Sequence, residues 1–191
     1  MGSLIVVHNG SYMKDISTSI SAAAVMILCI VTGSICKCTI AEYSESASSY
    51  RGKILGAVLT QVILWAAAAG KMGPYPIVTE DCNNNGVVLH GNSPFRPLSS
   101  TQTQADVLRI MKCLIAQQPF VMKFLYIAAH SNDRKDWTSC TVKECLNIKV
   151  NHLAKQDLLH AHSCNEYFDW RFPAEDCQIH TSGIKVTGPI K

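Results

Sequence analysis

The chain has 191 residues, of which 48% are hydrophobic and 16% are charged, and its formal net charge is +3. This composition excludes a disordered chain, and the length suits one ordinary domain with a sizeable core. The small positive charge is compatible with a nucleic-acid partner but does not by itself indicate one. Nine cysteines, without the spacing of a small disulfide framework and without a signal-peptide pattern, predict an intracellular, reducing setting.

The first third of the chain predicts three strands followed by a long helix. Apolar runs of strand type, typical of an antiparallel meander, cover Leu4–His8, Ala22–Val31 and Ile35–Ala41. A helix is predicted from about Tyr50 to Ala69, where apolar residues recur at four-residue spacing. Because Thr60 and Gln61 interrupt this apolar segment, we expect a helix buried in a core rather than a membrane span.

The rest of the chain predicts strands that alternate with helices. Strand character marks Tyr75–Thr79 and Phe120–Ile127, a turn or helix start falls at Asn83–Gly86, and helical stripes cover Thr103–Gln117 and Val142–His160. A meander followed by this alternation predicts an α/β fold with a five-stranded mixed sheet, antiparallel first and then parallel, flanked by helices. Residues 1–160 are assigned to this domain, and residues 161–191 to a C-terminal tail or the start of a further polyprotein segment.

Four polar residues are expected to converge in this layout. Asn9 follows the first strand, Lys53 begins the long helix, Asp81 follows the fourth strand, and Asn151 lies in the last helix. If the first and fourth strands are neighbours, Asn9 and Asp81 lie close together, and the first turn of the long helix leans over them.

Five segments in this order resemble the ribonuclease H domain of retroelement reverse transcriptases. They are Val6–Tyr12, Ala47–Gly56, Val78–Asp81, Ile127–Asp133 and Leu146–Ala154, and the resemblance covers roughly residues 4 to 160. It implies a ribonuclease H-like fold and an endonuclease that cleaves the RNA strand of an RNA–DNA hybrid. The family holds two Mg²⁺ ions about 4 Å apart with an Asp, a Glu and two further Asp carboxylates.

The chain departs from that carboxylate set at three of the four positions. Asn9 and Asn151 keep the shape of aspartate without its charge, Lys53 inverts the charge of a glutamate, and only Asp81 matches as a metal ligand. Unit charges 4 Å apart interact by about 4 kcal/mol at an effective dielectric near 20, and a divalent ion doubles this energy. We therefore predict that the Lys53 ammonium pairs with Asp81 in place of a metal, and that cleavage is impaired or lost.

The resemblance also assigns roles outside the carboxylate positions. His130 matches a loop histidine that aids product release or proton transfer in the family. Predicted contacts to a hybrid are Ser11, Arg51, Asn83, Asn147 and Arg134, with Lys53, Lys112 and Lys135 as further candidates for phosphate contacts. Other acids that could replace the lost carboxylates are Glu42, Glu45 and Asp15, whereas Glu80 should face away from the site because adjacent strand residues alternate.

Three alternatives stay open at the level of sequence. The chain could be a nucleic-acid-binding module without catalysis, or a decayed fragment of a retroelement, because it starts only a few residues before its first strand. A structural zinc site has the right ligand types near the C-terminus but fits no common module, the candidates being His160, His162, Cys164, Cys177 and His180. The expected partner is an RNA–DNA hybrid, with no membrane, and the chain is expected to be a monomer or part of a polyprotein.

Overall fold

A five-stranded mixed sheet forms the centre of the molecule. The computed structural model describes residues 4–69, 73–129, 131–166, 180–181 and 184–185. The strands are β1 (Leu4–Ser11), β2 (Ile20–Cys29), β3 (Ile35–Tyr43), β4 (Ile77–Cys82) and β5 (Val121–Tyr126). They lie in the order β3-β2-β1-β4-β5. Strands β1 to β3 are antiparallel, whereas β4 is parallel to β1 and β5 is parallel to β4, so the predicted sheet is confirmed.

Four helices accompany the sheet: α1 (Ser49–Ala68), α2 (Asn85–Gly91), α3 (Ala105–Gln117) and α4 (Val142–Cys164). The predicted turn or helix start at Asn83–Gly86 becomes the beginning of α2, because the Asn84 side chain accepts the Val87 N–H and caps the helix. Helix α4 continues to Cys164, past the proposed domain boundary at residue 160. Two-residue strands, β6 (His180–Thr181) and β7 (Ile184–Lys185), pair with each other near the C-terminus.

The sheet is covered on both faces. Alternate residues of β1 point to opposite sides, so Val6 joins the core beneath α1 and α3, while Val7 joins a second core beneath α4. Helix α1 is the one helix among the described residues that is long and apolar enough to cross a membrane, and 61% of its apolar window is buried inside the molecule. It therefore packs as the central core helix, in agreement with the sequence-based expectation.

The first turn of α1 is pressed against β1 at a glycine pair. A Cβ atom added to Gly10 would lie 2.2 Å from the carbonyl carbon of Gly52 and 2.3 Å from the amide nitrogen of Lys53. No other residue permits this approach, because every other side chain begins with a Cβ atom. The contact fixes the start of α1 beside the segment of β1 that carries Asn9.

Replacing Gly10 with alanine is expected to lower the free energy of unfolding by about 3 kcal/mol or more, because the neighbouring atoms are backbone and cannot rotate away. Gly86→Ala is a suitable control, because its nearest neighbours are side-chain atoms of Asn84 and Tyr50 at 3.1 and 3.2 Å. Urea unfolding of both variants measures the difference. Equal stability of the two variants would contradict the described contact between α1 and β1.

Candidate active site

Asn9 lies inside the sheet and is linked to the last helix. Strand β1 continues to Ser11, and Val7 pairs with Asp81 of β4, so Asn9 faces the same side of the sheet as Asp81. The Asn9 amide nitrogen donates a hydrogen bond to Oδ1 of Asn147 in α4 at 3.3 Å. Its own Oδ1 accepts the Gly10 N–H at 2.9 Å. Asn9 and Asn147 are both buried, and both amides are therefore held in fixed orientations.

Asp81 is paired with Lys143, not with Lys53. The Lys143 ammonium lies 2.8 Å from Oδ2 of Asp81 and 3.1 Å from Oδ1. The Lys53 ammonium instead donates to the Ser49 hydroxyl at 3.2 Å, one turn earlier in α1. Side chains on a helix lean toward its N-terminus, which carries Lys53 back along its own helix. The predicted pairing of Lys53 with Asp81 is therefore wrong, although an ammonium does neutralise this carboxylate.

A helix cap fixes the start of α4, the segment that carries Lys143. Thr141 and Glu144 form a reciprocal capping box, in which each side chain binds the other residue's backbone N–H. Lys135 donates to Glu144 at 2.7 Å from the preceding loop. Hydrogen bonds from Lys135 and Thr141 lower the pKa of Glu144 to about 2, so this carboxylate stays ionised and the cap stays intact at neutral pH.

Asn151 and His130 are the other two predicted members of the site. Asn151 lies one turn beyond Asn147, is half-buried, and within the described part of the chain makes no hydrogen bond to Asn9, Lys53 or Asp81. The residue of α4 that contacts Asn9 is therefore Asn147. His130 lies outside the described residues.

Sequence reasoning missed Lys143, although one signal was available. Lys143 precedes Asn147 by four residues, and such pairs share one face of a helix. Once α4 is known to turn Asn147 toward Asn9, Lys143 must point toward the neighbouring strand, where Asp81 lies.

A second buried polar network lies on the opposite face of the sheet. His8 Nδ1 is 2.9 Å from Oε1 of Glu80, and Gln61 of α1 donates to Oε2 of Glu80 at 2.8 Å. All three side chains are inaccessible to solvent. As predicted from strand alternation, Glu80 faces away from Asp81, so its carboxylate does not reach the site around Asp81.

The His8–Glu80 pair is expected to make stability depend on pH. Burial by itself would lower the pKa of His8, but contacts with Cys82 and Glu80 outweigh it and raise the pKa from 6.5 to about 10. Burial also raises the pKa of Glu80, against the opposing effect of His8. A raised pKa means that the folded state holds the proton more tightly, so this contribution is complete below pH 6.5 and is lost as the pH rises toward 10.

The free energy of unfolding should therefore fall between pH 7 and pH 10, by up to about 1.4 kcal/mol per pH unit where one proton is released. The His8→Gln variant should show a shallower slope, because it removes the titrating imidazole. Urea titrations at several pH values measure both slopes. Identical slopes in the two proteins would rule out His8 as the source.

Arg51 is part of the core rather than the surface. Its guanidinium binds both oxygens of Glu42 at 2.6 and 2.7 Å and Asp106 of α3 at 3.0 Å. Arg51 is only 2% exposed. The predicted contact between Arg51 and nucleic acid is therefore wrong, because two carboxylates already neutralise its charge. Glu42 is held by the same bonds and is not available as a metal ligand, while Glu45 and Asp15 lie exposed in loops.

The remaining predicted contacts to a hybrid divide between buried and exposed residues. Ser11 and Asn147 are buried, which leaves them little surface for a ligand, whereas Asn83 is half-buried and Arg134 is exposed. Lys112 is also buried and donates to the Ser93 carbonyl oxygen, so the predicted phosphate contact at Lys112 is wrong. The side chain of Lys135 is 46% exposed, but its ammonium is engaged by Glu144.

The residues gathered at Asp81 do not fit a pair of Mg²⁺ ions. Magnesium prefers hard, anionic oxygen ligands, and the three buried residues Asp81, Asn9 and Asn147 supply one carboxylate and two amides. Both Asp81 oxygens contact the Lys143 ammonium. Oδ1 of Asn9 accepts the Gly10 N–H, and Oδ1 of Asn147 accepts from Asn9. Oδ1 of each of the three residues thus accepts a hydrogen bond already, and Oδ2 of Asp81 lies in ionic contact with the Lys143 ammonium.

The zinc alternative gains no support from the residues that can be described. Among them, no three His, Cys, Asp or Glu side chains come together as metal ligands would. Of the predicted C-terminal set, His160 Nδ1 and the Cys164 thiol are 3.6 Å apart. Cys177 and the side chain of His180 lie outside the described residues.

Comparison with known proteins identifies the fold. No protein-family model and no curated protein matches the sequence. Among solved structures, LC11-RNase H1 in complex with an RNA/DNA hybrid has a TM-score of 0.57 and 10% identity, with 82% of this chain and 99% of that chain covered. The N-terminal RNase H domain of a Mycobacterium tuberculosis protein has a TM-score of 0.55 and 8% identity, covering 84% and 99%. The protease–reverse transcriptase of prototype foamy virus has a TM-score of 0.51 and 12% identity, covering 82% of this chain and 21% of that longer one.

These similarities, together with the strand order and the helices on both faces, define a ribonuclease H-like fold. Within it, the solved structures that the chain resembles include ribonuclease H domains and a viral protease–reverse transcriptase. Identities of 8–12% establish the shared fold alone.

Proposed function

We propose that this chain is a ribonuclease H-like domain of retroelement origin that has lost metal-dependent cleavage of RNA–DNA hybrids. Its fold supports the origin, because the structures that share it include a hybrid-bound ribonuclease H and a reverse transcriptase. The observation that carries the loss of activity is the contact of the Lys143 ammonium with both oxygens of Asp81. In this proposal the domain is intracellular and either monomeric or part of a polyprotein.

The electrostatics of the site support the loss. A working member of the family concentrates four negative charges, which two Mg²⁺ ions neutralise. Here, of the four family positions, Asp81 alone is a carboxylate, and it is already neutralised by Lys143, while Lys53 adds a further positive charge at the start of α1. A divalent ion would have to displace a bonded ammonium and would find no second carboxylate to stabilise it.

A cleavage assay on the whole chain tests this proposal. We expect a labelled RNA–DNA hybrid to stay intact in the presence of either Mg²⁺ or Mn²⁺. The matched control is Asp81→Asn, which removes the carboxylate that the Lys143 ammonium contacts. Metal-dependent cleavage by the natural chain that disappears in Asp81→Asn would overturn the proposal, because it would show that Asp81 still holds a catalytic ion.

A further inference from the structure

We infer that Lys143, assisted by Lys53, binds a backbone phosphate of a nucleic acid directly, so that the domain binds an RNA–DNA hybrid without any divalent ion. This inference rests on the proposed function, because it concerns the same site after its carboxylates have been lost. The ammonium groups would stand where the family places metal ions between a buried carboxylate and a phosphate.

Lys143 has the exposure that such a contact needs. The Asp81 side chain is 3% exposed, whereas that of Lys143 is 32% exposed, so the ammonium lies between the buried carboxylate and solvent. An ammonium has three N–H donors, and Lys143 donates a hydrogen bond to Oδ1 of Asp81 while its contact with Oδ2 is ionic. One donor therefore stays available for an incoming phosphate oxygen.

Lys53 supplies a second positive charge that is free to move. Its ammonium donates to one neutral acceptor, the exposed Ser49 hydroxyl. The tight contact between Gly10 and Gly52 fixes the backbone of Lys53 next to the strand segment that carries Asn9. Exchanging a neutral hydroxyl for an anionic phosphate favours binding, because hydrogen bonds between charged groups are the stronger ones.

The neighbouring acids are committed elsewhere and do not cancel these charges. Glu80 lies on the opposite face with His8, Glu42 is bound to Arg51, and Glu144 is held by Lys135 and the helix cap. Within the described residues, Asp81 is the carboxylate that the Lys143 ammonium contacts, so it competes with a phosphate for that ammonium. This competition gives the inference a distinctive consequence: removing the charge of Asp81 should tighten binding.

Fluorescence anisotropy with a labelled RNA–DNA hybrid tests the inference. We expect the same affinity in EDTA and in Mg²⁺, about tenfold weaker binding for Lys143→Gln, and tighter binding for Asp81→Asn. Loss of the Lys143 contact should also reduce the slope of log affinity against log salt by about 0.9. Lys37→Gln, which changes an exposed lysine on the edge strand β3, is the matched control and should leave affinity unchanged.

Two further measurements separate the outcomes. The double variant Lys143→Gln/Asp81→Asn avoids an unpaired buried carboxylate, so weak binding by this folded protein isolates the missing ammonium. Absence of binding, a requirement for Mg²⁺, or equal affinities of Lys143→Gln and Lys37→Gln would overturn the inference. Gel analysis of the Mg²⁺ samples tests the proposed function separately: an intact but unbound hybrid refutes the inference alone, whereas a cleaved hybrid refutes the proposed function.

Discussion

Replacing Arg51 with methionine is expected to lower the free energy of unfolding by about 3–5 kcal/mol. The guanidinium joins β3 to α3 through Glu42 and Asp106, and it also donates to the Gln104 side chain at 2.7 Å. Methionine would fill much of the same volume but would leave two buried carboxylates without a partner. The large cost comes from those unpaired charges, and denaturant titration would measure it.

Two comparisons make the Arg51 result specific. Arg109→Met changes an exposed arginine of α3, so its effect should stay within about 0.5 kcal/mol. The triple variant Arg51→Met, Glu42→Gln and Asp106→Asn should recover much of the lost stability, because no buried charge is then unpaired. If Arg51→Met were as stable as Arg109→Met, the buried network would not contribute as described.

Introducing carboxylates around Asp81 should create a site that binds Mg²⁺. In a variant with Asn9→Asp, Lys53→Glu, Asn147→Asp and Lys143→Ala, four carboxylates would face one site and no ammonium would compete with a cation. We expect this variant to be less stable than the natural chain in EDTA, because like charges repel. Added Mg²⁺ should raise its melting temperature. At one hundred times the dissociation constant, the ion should add about 2.7 kcal/mol to the free energy of unfolding.

The natural chain is the first control, and its melting temperature should not respond to Mg²⁺ beyond the general effect of salt. A second variant with Asn151→Asp in place of Asn147→Asp decides between the two asparagines of α4. Because Asn147 contacts Asn9 and Asn151 does not, the first variant should bind the ion more tightly. Tighter binding by the second would mean that α4 lies in a different register in the metal-bound state.

The fold could be predicted because its signals are local. The apolar runs of β1 to β3 and the four-residue spacing in α1 each determine one element, and their order limits the topologies. The structure confirms the expected pairing of β1 with β4. This pairing puts Asn9 on the same face of the sheet as Asp81. These inferences required no knowledge of how the side chains of distant elements meet.

The pairing of charges could not be predicted in the same way. Lys53 and Lys143 are both near the site in the topology, and the identity of the one that reaches Asp81 depends on the positions of α1 and α4 over the sheet. Arg51 looks like a surface charge in the sequence because two of its partners, Gln104 and Asp106, are distant along the chain. Burial of a charged residue depends on how distant elements pack, so local sequence patterns do not predict it.

We propose that the Lys143–Asp81 pair and the absence of carboxylates at residues 9, 53 and 147 prevent metal-dependent cleavage by this fold. The most direct measurement compares cleavage of one labelled RNA–DNA hybrid by the natural chain and by the four-residue variant with Asn147→Asp, in Mg²⁺ and under identical conditions. The account predicts an intact hybrid with the natural chain and metal-dependent cleavage with the variant. Cleavage by the natural chain at a rate similar to that of the variant would contradict it.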